Sequence, residues 1–129
     1  MIALNKIGNR LGVDVLRTWS FDATQMRINR VLGADAPHLH NHPFEWCWGL
    51  ILNGGYEHEF FELDADGKPG PTRAKAFGPG DVNFMPHRLF HRIVRAEPET
   101  YTLFFRGPAV EGARNFPTYW TADGPKQKP

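Results

Sequence analysis

The chain has 129 residues, 41% of them apolar and 22% charged, a size and balance that suit one domain with a buried core. Fifteen Lys and Arg stand against fourteen Asp and Glu, so there is no basic field for nucleic acid, and no run of 18 apolar residues spans a membrane. The N-terminal MIALNKIGNRLG has no continuous apolar leader core, and a single cysteine makes no internal disulfide, which together point to a reducing, cytoplasmic setting.

Thirteen glycines and eleven prolines break the chain about every ten residues, the rhythm of short strands joined by turns. In chain order the runs rich in β-branched and aromatic residues are 12–19, 25–32, 46–52, 56–63, 73–77, 81–86, 90–95 and 101–106. The NGG at 53–55 reads as a tight hairpin between two of them, and DADGKPGPT (64–72) as a longer hairpin loop. Its Asp-x-Asp-Gly lacks the downstream glutamate of a calcium loop, so a turn is the better reading. No window of helical period survives the Gly and Pro interruptions. These elements predict an all-β sandwich or barrel with little helix, one domain over 1–121, and a flexible tail over 122–129.

Three of six histidines, His38, His40 and His42, alternate just before an apolar run. In an extended segment such positions share a face, and neutral imidazoles on one face suit a metal. Four residues separate His42 from Cys47, and six more precede Gly54; downstream, GPGDVNFMPHRLFH carries Gly80, then Pro86, then His91. Together the two stretches resemble the paired motifs of the cupin superfamily, G-x5-H-x-H-x(3–4)-E-x6-G and G-x5-P-x-G-x2-H-x3-N, over residues ~33–107. The resemblance implies a jelly-roll barrel in which His40, His42 and His91 hold one divalent metal.

The chain departs from those motifs in several places. Cys47 occupies the glutamate position in the His40/His42 register, whereas Glu45 fills it if His38 and His40 are the pair. Arg88 and Arg95 replace the glycine and asparagine of the second motif, and Gly33 is one residue out in either register. The ligand set expected is therefore His40, His42 and His91 with Glu45 as the candidate carboxylate, and Cys47, Glu45 or His38 as the group completing the site. Such a set leaves open positions for iron, with zinc, nickel or manganese as alternatives. Cysteine dioxygenase-like thiol oxygenases are similar in H-x-H-x4-C-x6-G, but their late-strand histidine and tyrosine are replaced here by Phe104 and Arg106. Small single-domain cupins with an H-x-H-P-aromatic signature are similar over His40–Phe44 and Gly54–Glu57, without a known reaction.

What these resemblances imply is a metal-dependent, dioxygenase-like oxidoreductase acting on a small molecule. The alternatives are a cupin isomerase, epimerase or lyase, or a ligand-binding module without turnover. Candidate acid/base groups are Glu45, Tyr56, Glu57 and His58, although a sheet-surface place is the default for His58, and a solvated turn for His87. Arg27, Arg30 and Arg106 are candidates for a substrate carboxylate or phosphate; Arg27 and Arg30, three apart, cannot both face inward. If Cys47 faces the interior, Trp46 and Trp48 face outward and need a cover, which the N-terminal strands or a second subunit of a homodimer would supply.

Overall fold

The computed structural model describes residues 13–33, 38–111 and 118–126. Ten strands and no helix are found among them: β1 (Val13–Phe21), β2 (Thr24–Val31), β3 (Trp46–Asn53), β4 (Tyr56–Glu62), β5 (Arg73–Phe77), β6 (Val82–Pro86), β7 (Leu89–Ala96), β8 (Thr100–Arg106), β9 (Tyr119–Thr121) and β10 (Gly124–Lys126). One antiparallel sheet runs β1-β2-β8-β3-β6. The other runs β5-β4-β7 and is continued by His40, which bridges His91 of β7 on one side and Tyr119 of β9 on the other, with β10 outermost. Two facing antiparallel sheets with strands crossing between them make the all-β sandwich expected from the strand rhythm and the jelly roll that the resemblance implies.

The inner faces carry two apolar clusters, one of Val31, Ile51, Tyr56, Phe77 and Ile93, the other of Cys47, Met85 and Leu89 with Phe60 and Phe104 against it. Strand period 2 explains what lies between them. On β7 His91 falls between Leu89 and Ile93, and on β4 His58 falls between Tyr56 and Phe60. Imidazoles thus occupy the seam between two dry clusters.

Two local expectations need correction. The NGG at 53–55 is not a hairpin: β3 pairs with β6 and β8, while β4 pairs with β5 and β7, so the glycines turn the chain from one sheet to the other. Gly54 has φ +76°, and a Cβ there would lie 2.4 Å from Thr100 Oγ1 and 2.8 Å from Thr100 Cα. Residues 124–126, expected in a flexible tail, pair with β9; 127–129 and Gly12 lie outside the described residues. The 64–72 loop does join paired strands, and Asp64 Oδ1 accepts from the backbone N–H of Asp66 and Lys68, an Asx-type turn.

Cys47 is fully buried, so Trp46 and Trp48 do point outward. They are half-buried by stacking on Phe105, at 5.7 and 5.3 Å between ring centroids. Cross-strand register lines up Trp19, Met26, Phe105, Trp48 and Phe84 across all five strands of that outer face.

Candidate metal centre

The H-x-H segment is brought to β7 by backbone pairing. His40 N–H donates to His91 O (2.9 Å) and His91 N–H to His40 O (2.8 Å). Residues exchanging both bonds in an antiparallel pair present side chains to the same face, so His40 and His91 point together into the barrel, where the His42 ring meets them. The imidazole centroids lie 5.0 Å (His40–His91), 5.1 Å (His42–His91) and 6.0 Å (His40–His42) apart. His42 Nε2 is 3.0 Å from His91 Nε2. Two nitrogens each ~2.1 Å from one ion at a right angle would stand at about that separation.

His91 is also held from its other side: its Nδ1 lies 3.3 Å from Nδ1 of His58, which is buried rather than on the sheet surface. His87, expected in a solvated turn, is half-buried, and its Nδ1–H donates to His42 O (2.9 Å). Asn41, buried between the two histidines, donates to His87 O (3.2 Å) and accepts from Thr118 N–H (2.8 Å). The segment bearing His40 and His42 is thereby tied to β9 and to the β6–β7 turn. Nothing in the local sequence distinguishes Asn41. His58 did carry a signal, because in Tyr-Glu-His-Glu-Phe (56–60) it alternates with glutamates and shares parity with two aromatics.

Burial is the main reason the imidazoles stay neutral. It lowers His40 to about 4 against a weaker opposing hydrogen bond to His38 O, and lowers His42 to about 3, helped by the charges of His40, Arg27 and His87. His58 is lowered to about 4 by burial and Lys75, and His91 lies well below its ordinary value through burial and its three imidazole neighbours. Neutral imidazole is the metal-binding form. His40 Nδ1–H donates to His38 O (3.4 Å), which leaves Nε2 as the lone-pair nitrogen of that ring.

Among the described residues, no group of three His, Cys, Asp or Glu side chains is arranged, as it stands, to hold a metal ion. The donor chemistry nevertheless fits a divalent ion, since the buried His40 and His91 and the half-buried His42 are neutral and converge, and two of their nitrogens are at ligand-to-ligand spacing. Glu45 is exposed; β3 begins only at Trp46, so the strand parity linking Glu45 to Cys47 does not reach it. Its backbone N–H donates to Pro108 O and its carbonyl accepts from His87 N–H. Cys47 Sγ lies 3.6 Å from Met85 O, and burial pushes its thiol far above the usual range, so it fills space where the motif has a carboxylate. His38 is half-buried and meets the cluster through its carbonyl.

No family model and no curated protein sequence matches the chain. Solved structures do. A cupin-2 domain protein from Shewanella frigidimarina is 14% identical with TM-score 0.51, covering 70% of this chain and 78% of that one. KdgF from Halomonas sp. is 16% identical with TM-score 0.54 over 84% and 88% of the two chains. This is a cupin fold. The cupin barrel here is also similar to Streptomyces albus HEPD, at 14% identity and TM-score 0.58, over 76% of this chain and 22% of that one. That enzyme holds Fe(II) and 2-hydroxyethylphosphonate.

The other predicted site residues separate cleanly. Tyr56 and Asn83 are buried on the inner faces, and Asn83 Nδ2 donates to Tyr56 Oη (2.8 Å). Glu57 is half-buried and lies 3.6 Å from Arg95 on the neighbouring strand. Arg30 faces outward in an ion pair with Glu99 (2.9 Å), so of the two arginines on β2 it is Arg27 that is inward. Phe104 lies 5.6 Å from the His42 ring, in the wall of the site. No helix among the described residues is long and apolar enough to cross a membrane.

Proposed function

We propose that this cupin barrel holds one divalent metal ion, Fe(II), through His40, His42 and His91 and catalyses an oxidative reaction on a small molecule. The observation that carries the reading is the neutral imidazole trio assembled by the His40–His91 backbone pair and the 3.0 Å approach of His42 to His91. The Fe(II)-holding structure of similar fold supports the choice of ion. When bound, the ion supplies Lewis acidity and one-electron chemistry with dioxygen at positions the protein leaves unfilled.

The chain's own residues do the rest. His58 Nδ1 partners His91 Nδ1 and so fixes which His91 nitrogen faces the ion. Asn41 and His87 hold the His42 backbone in place. Phe60, Met85 and Phe104 give the site a dry wall that keeps bulk water from the reacting atoms. Tyr56, its oxygen accepting from Asn83, carries a hydroxyl proton and is the group we assign as proton donor, in preference to the exposed Glu45.

Nitric oxide, a surrogate for dioxygen, tests this on anaerobically iron-loaded protein by electron paramagnetic resonance. The wild type should give an iron–nitrosyl signal that His91→Ala loses. Iron-loaded protein that gives no such signal would show that iron here has no position open to a diatomic ligand, and the oxidative reading would fall.

A further inference from the structure

Four arginines of the described residues have glutamate partners: Arg30 with Glu99, Arg88 with Glu62, Arg92 with Glu59 and Arg95 with Glu57. Arg27 and Arg106 have no carboxylate partner among the described residues, yet both are half-buried. Register places them on the inner face. Arg106 stands opposite Gln25 and the fully buried Cys47, and Arg27 opposite Phe104, which packs against the apolar cluster at the imidazoles. They therefore sit on the diagonal of adjacent strands, a spacing of roughly 7–8 Å between Cα atoms that long side chains bridge easily.

The donors of this pair are only partly used. Arg27 Nε–H donates to Gln25 Oε1 (2.5 Å). Arg106 lies over the Phe44 ring at 4.7 Å and uses Nη1 on the carbonyls of Ala23 and Gly107. Its Nε is buried without a hydrogen-bond partner, and so is Oδ1 of Asn29, the next inward residue along β2. Two guanidiniums in a half-dry wall are costly without an anion between them; burial first, and then the Arg106 charge, pull Arg27 below its ordinary pKa. Phe104, opposite Arg27, lies 5.6 Å from the His42 ring, so the pair borders the imidazole cluster.

We propose that Arg27 and Arg106 bind the oxyanion head of the substrate, a carboxylate or a phosphoryl group, and present the rest of the molecule to His40, His42 and His91. Guanidinium forks suit either head through paired N–H donors. The proposal deepens the reading of the cluster as a reaction centre, but its test does not depend on metal. Calorimetric titration of chelator-treated, metal-free protein with malonate and with phosphate should give one-site binding, and the neutral malonamide should give none.

Affinity for the anions should fall at least about tenfold in Arg27→Gln and in Arg106→Gln, stay unchanged in Arg30→Gln, and recover in part in Arg27→Lys. The better-bound anion names the head group. Circular dichroism and a urea midpoint check each variant, and Arg27→Lys with Arg106→Gln carries the test if Arg27→Gln does not fold. No saturable binding of either anion, equal binding of malonamide, or equal loss in Arg30→Gln would overturn the proposal. Metal uptake measured on a portion of each preparation reloaded with iron keeps a failure here distinct from a failure of the metal centre.

Discussion

A buried histidine has a different consequence for stability from an exposed one, and this barrel contains several. His40 and His58 are lowered to about 4 and His42 to about 3, all first by burial, against an unfolded value near 6.5. Below pH 6.5 the unfolded chain takes up protons that the folded chain refuses until pH about 4. Folding is therefore favoured fully above 6.5 and loses stability as pH falls through that window. Each fully buried group contributes at most about 1.4 kcal/mol per pH unit to the slope. Urea unfolding of metal-free protein from pH 7 to 4 should show this loss, and His58→Phe, which removes one titrating group beside Phe60 and Phe77, should make it shallower. An unchanged slope in that variant would mean that His58 is not held neutral by the fold.

At the scale of elements, the chain turns from one sheet to the other where β3 meets β4, not by a hairpin. The Asn-Gly-Gly signal is real as a turn but ambiguous as to partner, because turn chemistry is local while pairing is decided by which edge each strand meets. What the turn demands is a left-handed φ with no room for a side chain: Gly54 fills that place against Thr100, whose Oγ1 also accepts from Gly55 N–H (3.0 Å). Gly54→Ala combines backbone strain with a clash against the Thr100 backbone, and it should cost more than about 2 kcal/mol in a urea melt. Gly67→Ala, also at positive φ but with nothing within 4 Å, separates the two causes and should cost less. Equal losses would show that conformation alone is responsible.

The strands themselves were legible because β-branched and aromatic runs alternate between Gly and Pro breaks, as in β4, where Tyr56, His58 and Phe60 face in and Glu57 and Glu59 face out. The proposed site was legible in part. Spacing singles out His40, His42 and His91 in the sequence, and backbone pairing puts His40 and His91 on one face. Glu45 did not follow, since parity reasoning holds only inside a strand and β3 starts one residue later. The Asn41 hydrogen bonds to His87 and Thr118 and the diagonal placement of Arg27 and Arg106 arise from tertiary pairing, which a single sequence does not display.

For the molecule as a whole, the two sheets exist in this reading to close a dry barrel around one ion, with the imidazoles at the seam of its two apolar clusters. The most direct measurement is the metal content of purified protein, loaded anaerobically with iron, zinc, nickel or manganese and desalted, beside His91→Ala and Glu45→Ala. The account predicts one ion per chain in the wild type and in Glu45→Ala, and none retained in His91→Ala. A wild type that holds no more metal than His91→Ala with any of the four would contradict it.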